Sequence, residues 1–94
     1  MPLTFEWDSR KASANLSKHG VKFETAATVF GDPSSLTIPD PDHSVMERRF
    51  ITMGRAFDGK LLVVVHTDRG DNIRIISARG ASRRERKLFE EEIE

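Results

Sequence analysis

The sequence has no cysteine, and its longest unbroken apolar run is the five residues Leu61 to Val65. Without cysteine the chain can build neither a disulfide framework nor a thiolate metal site, an inventory that suits a reducing compartment. Five apolar residues fall far short of the ~20 that a membrane-spanning helix needs. The first residues, Met1-Pro2-Leu3-Thr4, supply neither a basic start nor an apolar signal stretch, so a cytoplasmic location with no membrane association is expected. Histidine is scarce as well. His19, His43 and His66 form no HExxH pair and have no acidic neighbours at ligand spacing, so no metal site and no cofactor are expected. Also missing are a phosphate-cradling glycine loop, an internal repeat, a linker and any low-complexity segment.

Net charge is missing too, but only in total. Between Arg48 and Lys87 there are eleven Lys and Arg against four Asp and Glu, a net +7. Residues 1–47 sum to −3 and residues 88–94 to −4, so the zero is a cancellation between segments. A strongly basic region attracts polyanions whatever the overall balance. At 94 residues, with 37% hydrophobic and 32% charged residues, the chain is expected to fold as one domain over residues 1–94.

Leu3 to Trp7 alternates apolar and polar residues and reads as a short opening strand. Asp8 is placed to cap a helix running to about His19, with Ala12 and Leu16 on its buried face and Gly20 closing it. Phe23, Ala26, Ala27 and Phe30 then fall at i, i+3, i+4 and i+7, a second one-sided helix ended by Gly31 and Pro33. Leu36 to Ile38 is a candidate strand, and Pro39 to His43 an extended loop. From Arg49 onward the strand period dominates. Arg49 to Phe57, Lys60 to Thr67 and Ile73 to Arg79 predict an antiparallel meander, with Asp58-Gly59 as its hairpin and Lys60 to Thr67 at its centre. Ser82 and Glu85 have the spacing of a capping box for a last helix carrying Leu88, Phe89 and Ile93. The expected class is α+β: an antiparallel sheet packed by two N-terminal helices, with a C-terminal helix.

The last helix is charged against its own dipole, with Arg83 and Arg84 at its positive end and Glu90 to Glu92 at its negative end. Either it is a solvated helix that tolerates its charges, or Arg83, Arg84 and Arg86 face a phosphate backbone. In the strand Ile73 to Arg79, a period of two puts Arg74 with Ile76 and Ala78, and Arg79 with Ile73 and Ile75. If Ile73 and Ile75 are the core pair, Arg74 points from mid-sheet to the open face, and Arg79 sits at the strand end where geometry relaxes. An internal ion pair to Glu47 or Glu6 accounts for Arg74 equally well. His43, Glu47, Arg48 and Arg49 bring an imidazole, a carboxylate and two guanidiniums together, a mixture suited to phosphodiester chemistry. One group takes the proton of a ribose 2′-hydroxyl, and the guanidiniums stabilise the charge that builds on the phosphate. A polar loop of a charged protein has the same composition. His66, inside the central apolar strand, reads as a core or edge histidine, and His19 as a favourable charge at a helix C-terminus.

Phe5-Glu6-Trp7-Asp8, Asn15, Lys18-His19-Gly20-Val21, Phe23, Ala26, Val29-Phe30 and Asp32-Pro33 together resemble the opening of the BrnT family of toxins. His43-Ser44, Glu47, Arg49-Phe50, Gly54, Leu61 to Val65, Thr67, Ile73 to Arg79, Ala81 and Arg84-Glu85-Arg86 are similar to that family's remaining motifs. The resemblance covers nearly the whole chain. It implies a compact RelE-like ribonuclease, the toxic half of a type II toxin–antitoxin pair, that cleaves RNA without a metal and arrests translation and growth. It further implies a BrnA-like antitoxin that covers the RNA-binding surface, and operator DNA bound through the antitoxin complex, with homo- or hetero-oligomers open. Carried over, Arg74, Arg79, Glu47 and Arg49 become the phosphate and transition-state contacts and His43 a proton-transfer candidate. Arg48, Arg83, Arg84 and Arg86 become RNA contacts. The chain departs from the pattern at Phe89, where relatives commonly have a tyrosine, so any role for that hydroxyl is absent. The alternative function is a noncatalytic basic module that docks an acidic partner or assists antitoxin-mediated DNA repression.

Overall fold

A computed structural model describes residues 3–41 and 48–92. After the short strand β1 (Thr4–Glu6), Asp8 caps α1 (Ser9–His19) by accepting from the backbone N–H of Arg10 at 2.8 Å and of Lys11 at 3.1 Å. A helix leaves its first N–H groups without internal partners; here the amides of Lys11, the larger cause, and Arg10 hold the Asp8 carboxyl below its ordinary range. Gly20, at φ +71°, ends the helix and donates its N–H to the Leu16 carbonyl at 2.9 Å. Of the face expected for α1, Ala12 packs on the core and Leu16 does not. Leu16 is 43% exposed and Ala12 half-buried, while the residue between them, Asn15, is only 6% exposed.

The second helical segment is also not one helix. An α-turn, α2 (Phe23–Ala27), tightens into a 3₁₀ turn over Thr28–Gly31. Thr28 lies where the winding changes: its hydroxyl donates to the Thr25 carbonyl at 2.6 Å and accepts the backbone N–H of Phe57 at 2.9 Å. The tighter turn rotates Val29 into the core at 0% exposure and leaves Phe30 half-buried.

Five strands form one sheet in the order β1-β5-β4-β3-β2, with β2 (Leu36–Pro39), β3 (Arg49–Arg55), β4 (Leu61–Arg69) and β5 (Asn72–Gly80). The four later strands are the expected antiparallel set, and β1 adds a parallel edge against β5. The β3–β4 hairpin closes through the Ala56 N–H to the Lys60 carbonyl, with Gly59 at φ +84°. That positive φ is open to glycine at little cost.

One face of the sheet carries the main core: Phe23, Ala26 and Val29 from the helical segment pack on Ala56, Leu62, Val64, Ile75 and Ala78, with Phe5, Trp7 and Phe30 at the margin. Leu61 and Val63, of opposite parity in β4, are also buried but lie outside that cluster, on the second face. The last helix, α3 (Arg83–Glu92), follows β5 after a two-residue connection. It opens with the expected capping box: the Ser82 N–H donates to Glu85 Oε1 at 2.8 Å, and the Glu85 N–H donates to Ser82 Oγ at 3.1 Å. Glu85 also holds Arg79, the register partner of Val63. Phe89, one turn beyond Glu85 on the same side of α3, is 1% exposed. Among the described residues no helix is long and apolar enough to cross a membrane.

Candidate functional site

The geometry of β5 is set by one irregularity. Val65 pairs with Ser77 and His66 with Ile75, so Ile76 has no partner on β4. An extra residue in one strand inverts the alternation of side chains beyond it. Ile75 and Ala78, of opposite parity in the sequence, therefore both face the main core at 1% exposure. By the same inversion Arg74, opposite Thr67, and Arg79, opposite Val63, both face the second side of the sheet. Simple alternation puts Arg79 on the core side; the bulge brings it round to join Arg74. At ~3.3 Å per residue the two guanidinium-bearing positions are roughly 16 Å apart along the strand.

Register extends this face across the sheet. Arg49 and Arg55 of β3 pair with Thr67 and Leu61, and Arg69 of β4 pairs with Asn72, all on the side of Arg74 and Arg79. Five arginines thus share one face, at the opposite side from α1 and α2. Arg55 is turned toward the hairpin, donating to the Gly59 carbonyl at 3.0 Å.

Among the described residues, Glu6 and Glu85 stand with these cations. Glu6, opposite Arg74 in the β1–β5 register, lies 3.6 Å from Arg74 Nη1 and 4.0 Å from Arg69 Nε. Of the two partners expected for Arg74, Glu6 is observed, and Glu47 lies outside the described residues. Glu85 takes Arg79 in a two-pronged contact at 2.7 and 2.8 Å, the planar fork geometry that suits a guanidinium to a carboxylate. Arg79 is the chief cause of a Glu85 carboxyl pulled down to about 2, and Glu85 in turn raises Arg79. These pairs are on the open face and not inside the helix-packed core: the Arg74 side chain is 25% exposed and that of Arg79 44%.

Arg83, Arg84 and Arg86 are exposed on the first turns of α3, at the Arg79 end of the face, and Arg48 is exposed just before β3. His43 and Glu47 lie outside the described residues. His66 is buried on the core side with Nε2 2.7 Å from Thr52 Oγ1, but it is not the satisfied histidine expected, since its buried Nδ1 has no hydrogen-bond partner among the described residues. Burial pushes its imidazole below the ordinary histidine range, against a smaller opposing pull from Asp68. His19 ends α1 and is exposed. Among the described residues no three His, Asp or Glu side chains are grouped to hold a metal ion.

Asn15 is the positioning residue that the apolar period of α1 passes over. Its Nδ2 donates to the carbonyls of Val21 at 3.0 Å and Ala78 at 2.8 Å, and its Oδ1 accepts the Ala78 N–H at 3.0 Å. Strand β1 pairs with β5 only over Asn72 to Arg74, so past that point the Asn15 amide serves as the missing edge partner. It fixes the backbone of the residue immediately before Arg79. The signal available in the sequence was a lone amide between the two apolar positions of an otherwise polar helix.

A family model described as the ribonuclease toxin BrnT of type II toxin–antitoxin systems matches residues 7–85 of this chain. In structure the chain is similar to the Brucella abortus ribonuclease toxin BrnT, known from a crystal structure at 1.1 Å, with a TM-score of 0.68. The two share 22% identity over 87% of this chain and 100% of that one, a likeness that shows a common α+β fold. No curated protein matches the chain in sequence.

Proposed function

The chain belongs to the BrnT family of ribonuclease toxins of type II toxin–antitoxin systems, and we propose that it cleaves single-stranded RNA on the arginine face of its sheet, without a metal ion. The observation that carries this reading is the bulge at Ile76, which turns Arg74 and Arg79 to the same accessible side. In the proposed reaction the ribose 2′-hydroxyl attacks its own 3′-phosphate while a side-chain base takes its proton. The 5′-oxygen of the next nucleotide leaves with a proton, giving a 2′,3′-cyclic phosphate and a 5′-hydroxyl. Negative charge builds on the non-bridging oxygens, and guanidiniums fixed beforehand stabilise it without reorganising. Arg74, Arg79 and Arg49 take that role. His43 and Glu47 are the candidates for proton transfer. Arg48, Arg83, Arg84 and Arg86 extend the grip to neighbouring phosphates. In the cytoplasm such cleavage stops translation and growth until a BrnA-like antitoxin covers this face, and operator DNA is bound through the complex.

Purified protein incubated with RNA in excess chelator tests the chemistry. Fragments ending in cyclic phosphate are expected. Intact RNA, or cutting only after a divalent ion is restored, counts against the proposal. Arg74→Ala and Arg79→Ala are expected to lower cleavage while keeping a folded chain. Expression alone, set against co-expression of the neighbouring open reading frame, tests growth arrest and the partner together.

One observation favours a second reading. Arg74 and Arg79 both hold carboxylates, Glu6 and Glu85. On that reading the face is a noncatalytic dock for an acidic partner, with tight complex formation, no RNA turnover and no growth arrest.

A further inference from the structure

At the end of β3 and β4 farthest from the hairpin, Arg48, Phe50, Thr67, Asp68 and Arg69 line a cleft of about 370 Å³. That volume is within the ~300–1,000 Å³ of small-ligand sites. One of its lining residues is an aromatic ring packed on its neighbours. Phe50 is stacked on His66 with centroids 5.9 Å apart and planes at 26°. His66 is itself held by Thr52 and by the edge of Phe30 at 4.8 Å. Arg48 lies 5.6 Å from the Phe50 centroid and is otherwise exposed, so a flat group displacing it from the ring keeps its guanidinium as a cover or a phosphate donor. Arg69, also lining the cleft, reaches Glu6, which in turn reaches Arg74. Phe50 and Asp68 line the cleft from the core side and Thr67 and Arg69 from the arginine side, so it lies where β4 runs past the end of β3 and the two faces of the sheet meet.

Asp68 sets the chemistry of the wall. Phe50 pairs with His66, two residues before Asp68, so Asp68 is on the Phe50 side of the sheet, one step along. Its carboxylate makes no hydrogen bond or ion pair with a described residue. An ionised carboxylate only accepts, through two adjacent oxygens. Guanine offers two adjacent donors on its Watson–Crick edge, N1–H and N2–H, whereas adenine, cytosine and uracil each offer one.

We infer that this cleft is a nucleotide subsite that stacks one base flanking the cut phosphate on Phe50, with guanine preferred through Asp68 and the adjoining phosphates held by Arg48 and Arg69. This rests on the ribonuclease reading for its place in a longer substrate, but not for the binding itself. The test titrates the full chain with the four ribonucleoside 5′-monophosphates, followed by amide NMR at Phe50 and Asp68, and maps fragment ends from mixed-sequence RNA. GMP is expected to bind roughly 10-fold tighter than UMP. Asp68→Asn, which puts a donor where an acceptor stood, brings the two within about twofold and removes any enrichment of G beside the cuts. Phe50→Leu weakens all four alike, roughly 10-fold, because stacking does not read sequence. Equal affinity of the four nucleotides, resonances unmoved at Phe50 and Asp68, or a guanine preference that survives Asp68→Asn overturns the subsite. If RNA is left intact while GMP is still preferred through Asp68, the ribonuclease reading falls and the subsite stands. If RNA is cut and the ends do not change in Asp68→Asn, the subsite falls and the ribonuclease reading stands.

Discussion

Two residues show how local chemistry fixes the site. Asn15 makes three hydrogen bonds in a buried position, two of them to the backbone of Ala78. Asn15→Ala leaves that N–H and carbonyl without partners, at ~1–3 kcal/mol for each buried group so stranded. A loss of about 2–4 kcal/mol in denaturant unfolding is expected, and a change under 1 kcal/mol refutes the edge-partner role. Glu85 gives a pH signature. Its carboxyl sits at about 2 in the folded chain against an ordinary 4.5, held down first by Arg79. A lowered folded value means that folding favours the ionised form. The stabilisation is therefore complete above about 4.5 and is lost as pH falls toward 2. Melting curves of the native chain and Glu85→Gln should accordingly differ most at pH 6 and draw together as pH falls toward 2; parallel curves across that range remove the argument. The capping box was legible, because Ser82 and Glu85 are three apart in sequence. The grip on Arg79 was not, since it depends on where the box lands relative to the sheet.

At the level of elements, the apolar periods and turn residues located every strand and helix, and the Asp58-Gly59 hairpin appears where the dipeptide predicts it. What periodicity does not encode is a one-residue slip. Ile73, Ile75 and Ile76 are all apolar, so nothing in the string marks Ile76 as the unpaired one, and the facing of Arg79 followed only from the register. The helical stripe through Phe23, Ala26, Ala27 and Phe30 was likewise read at 3.6 residues per turn, while Thr28 binds the β3–β4 hairpin and tightens the turn. The site's proton-transfer candidates, His43 and Glu47, were nameable from sequence alone and lie outside the described residues. The join between the 3₁₀ turn and β3 rests on Gly54. A Cβ there meets Val29 Cγ1 and Ser35 Cβ at 2.9 Å, while Asp32 Oδ2 alongside accepts the Arg55 N–H. Gly54→Ala is expected to destabilise the fold by about 1–3 kcal/mol through overpacking, read as a lowered denaturation midpoint. An unchanged midpoint means that Val29 and Ser35 yield freely.

For the molecule as a whole, a net charge of zero conceals a division between two sides of one sheet. Helices α1 and α2 cover the core side, and the opposite side collects Arg49, Arg55, Arg69, Arg74 and Arg79, with Glu6 and Glu85 as resident counter-charges. On the proposed reading RNA phosphates compete with those carboxylates, which makes the face less than simply cationic. For single-stranded nucleic acid, each phosphate neutralised contributes ~0.7 to the slope of log affinity against log salt. Arg74→Ala and Arg79→Ala should each flatten that slope by about 0.7 in fluorescence anisotropy with a single-stranded RNA. Lys11→Ala supplies the control, because Lys11 is equally charged and exposed but sits on α1 at the other side of the sheet. If all three variants flatten the slope equally, the RNA is bound by diffuse charge, and the segregation of arginines onto one face loses its functional meaning. If the two sheet variants flatten it and Lys11→Ala does not, the strand follows β5, and the bulge at Ile76 is what aligned its two contacts.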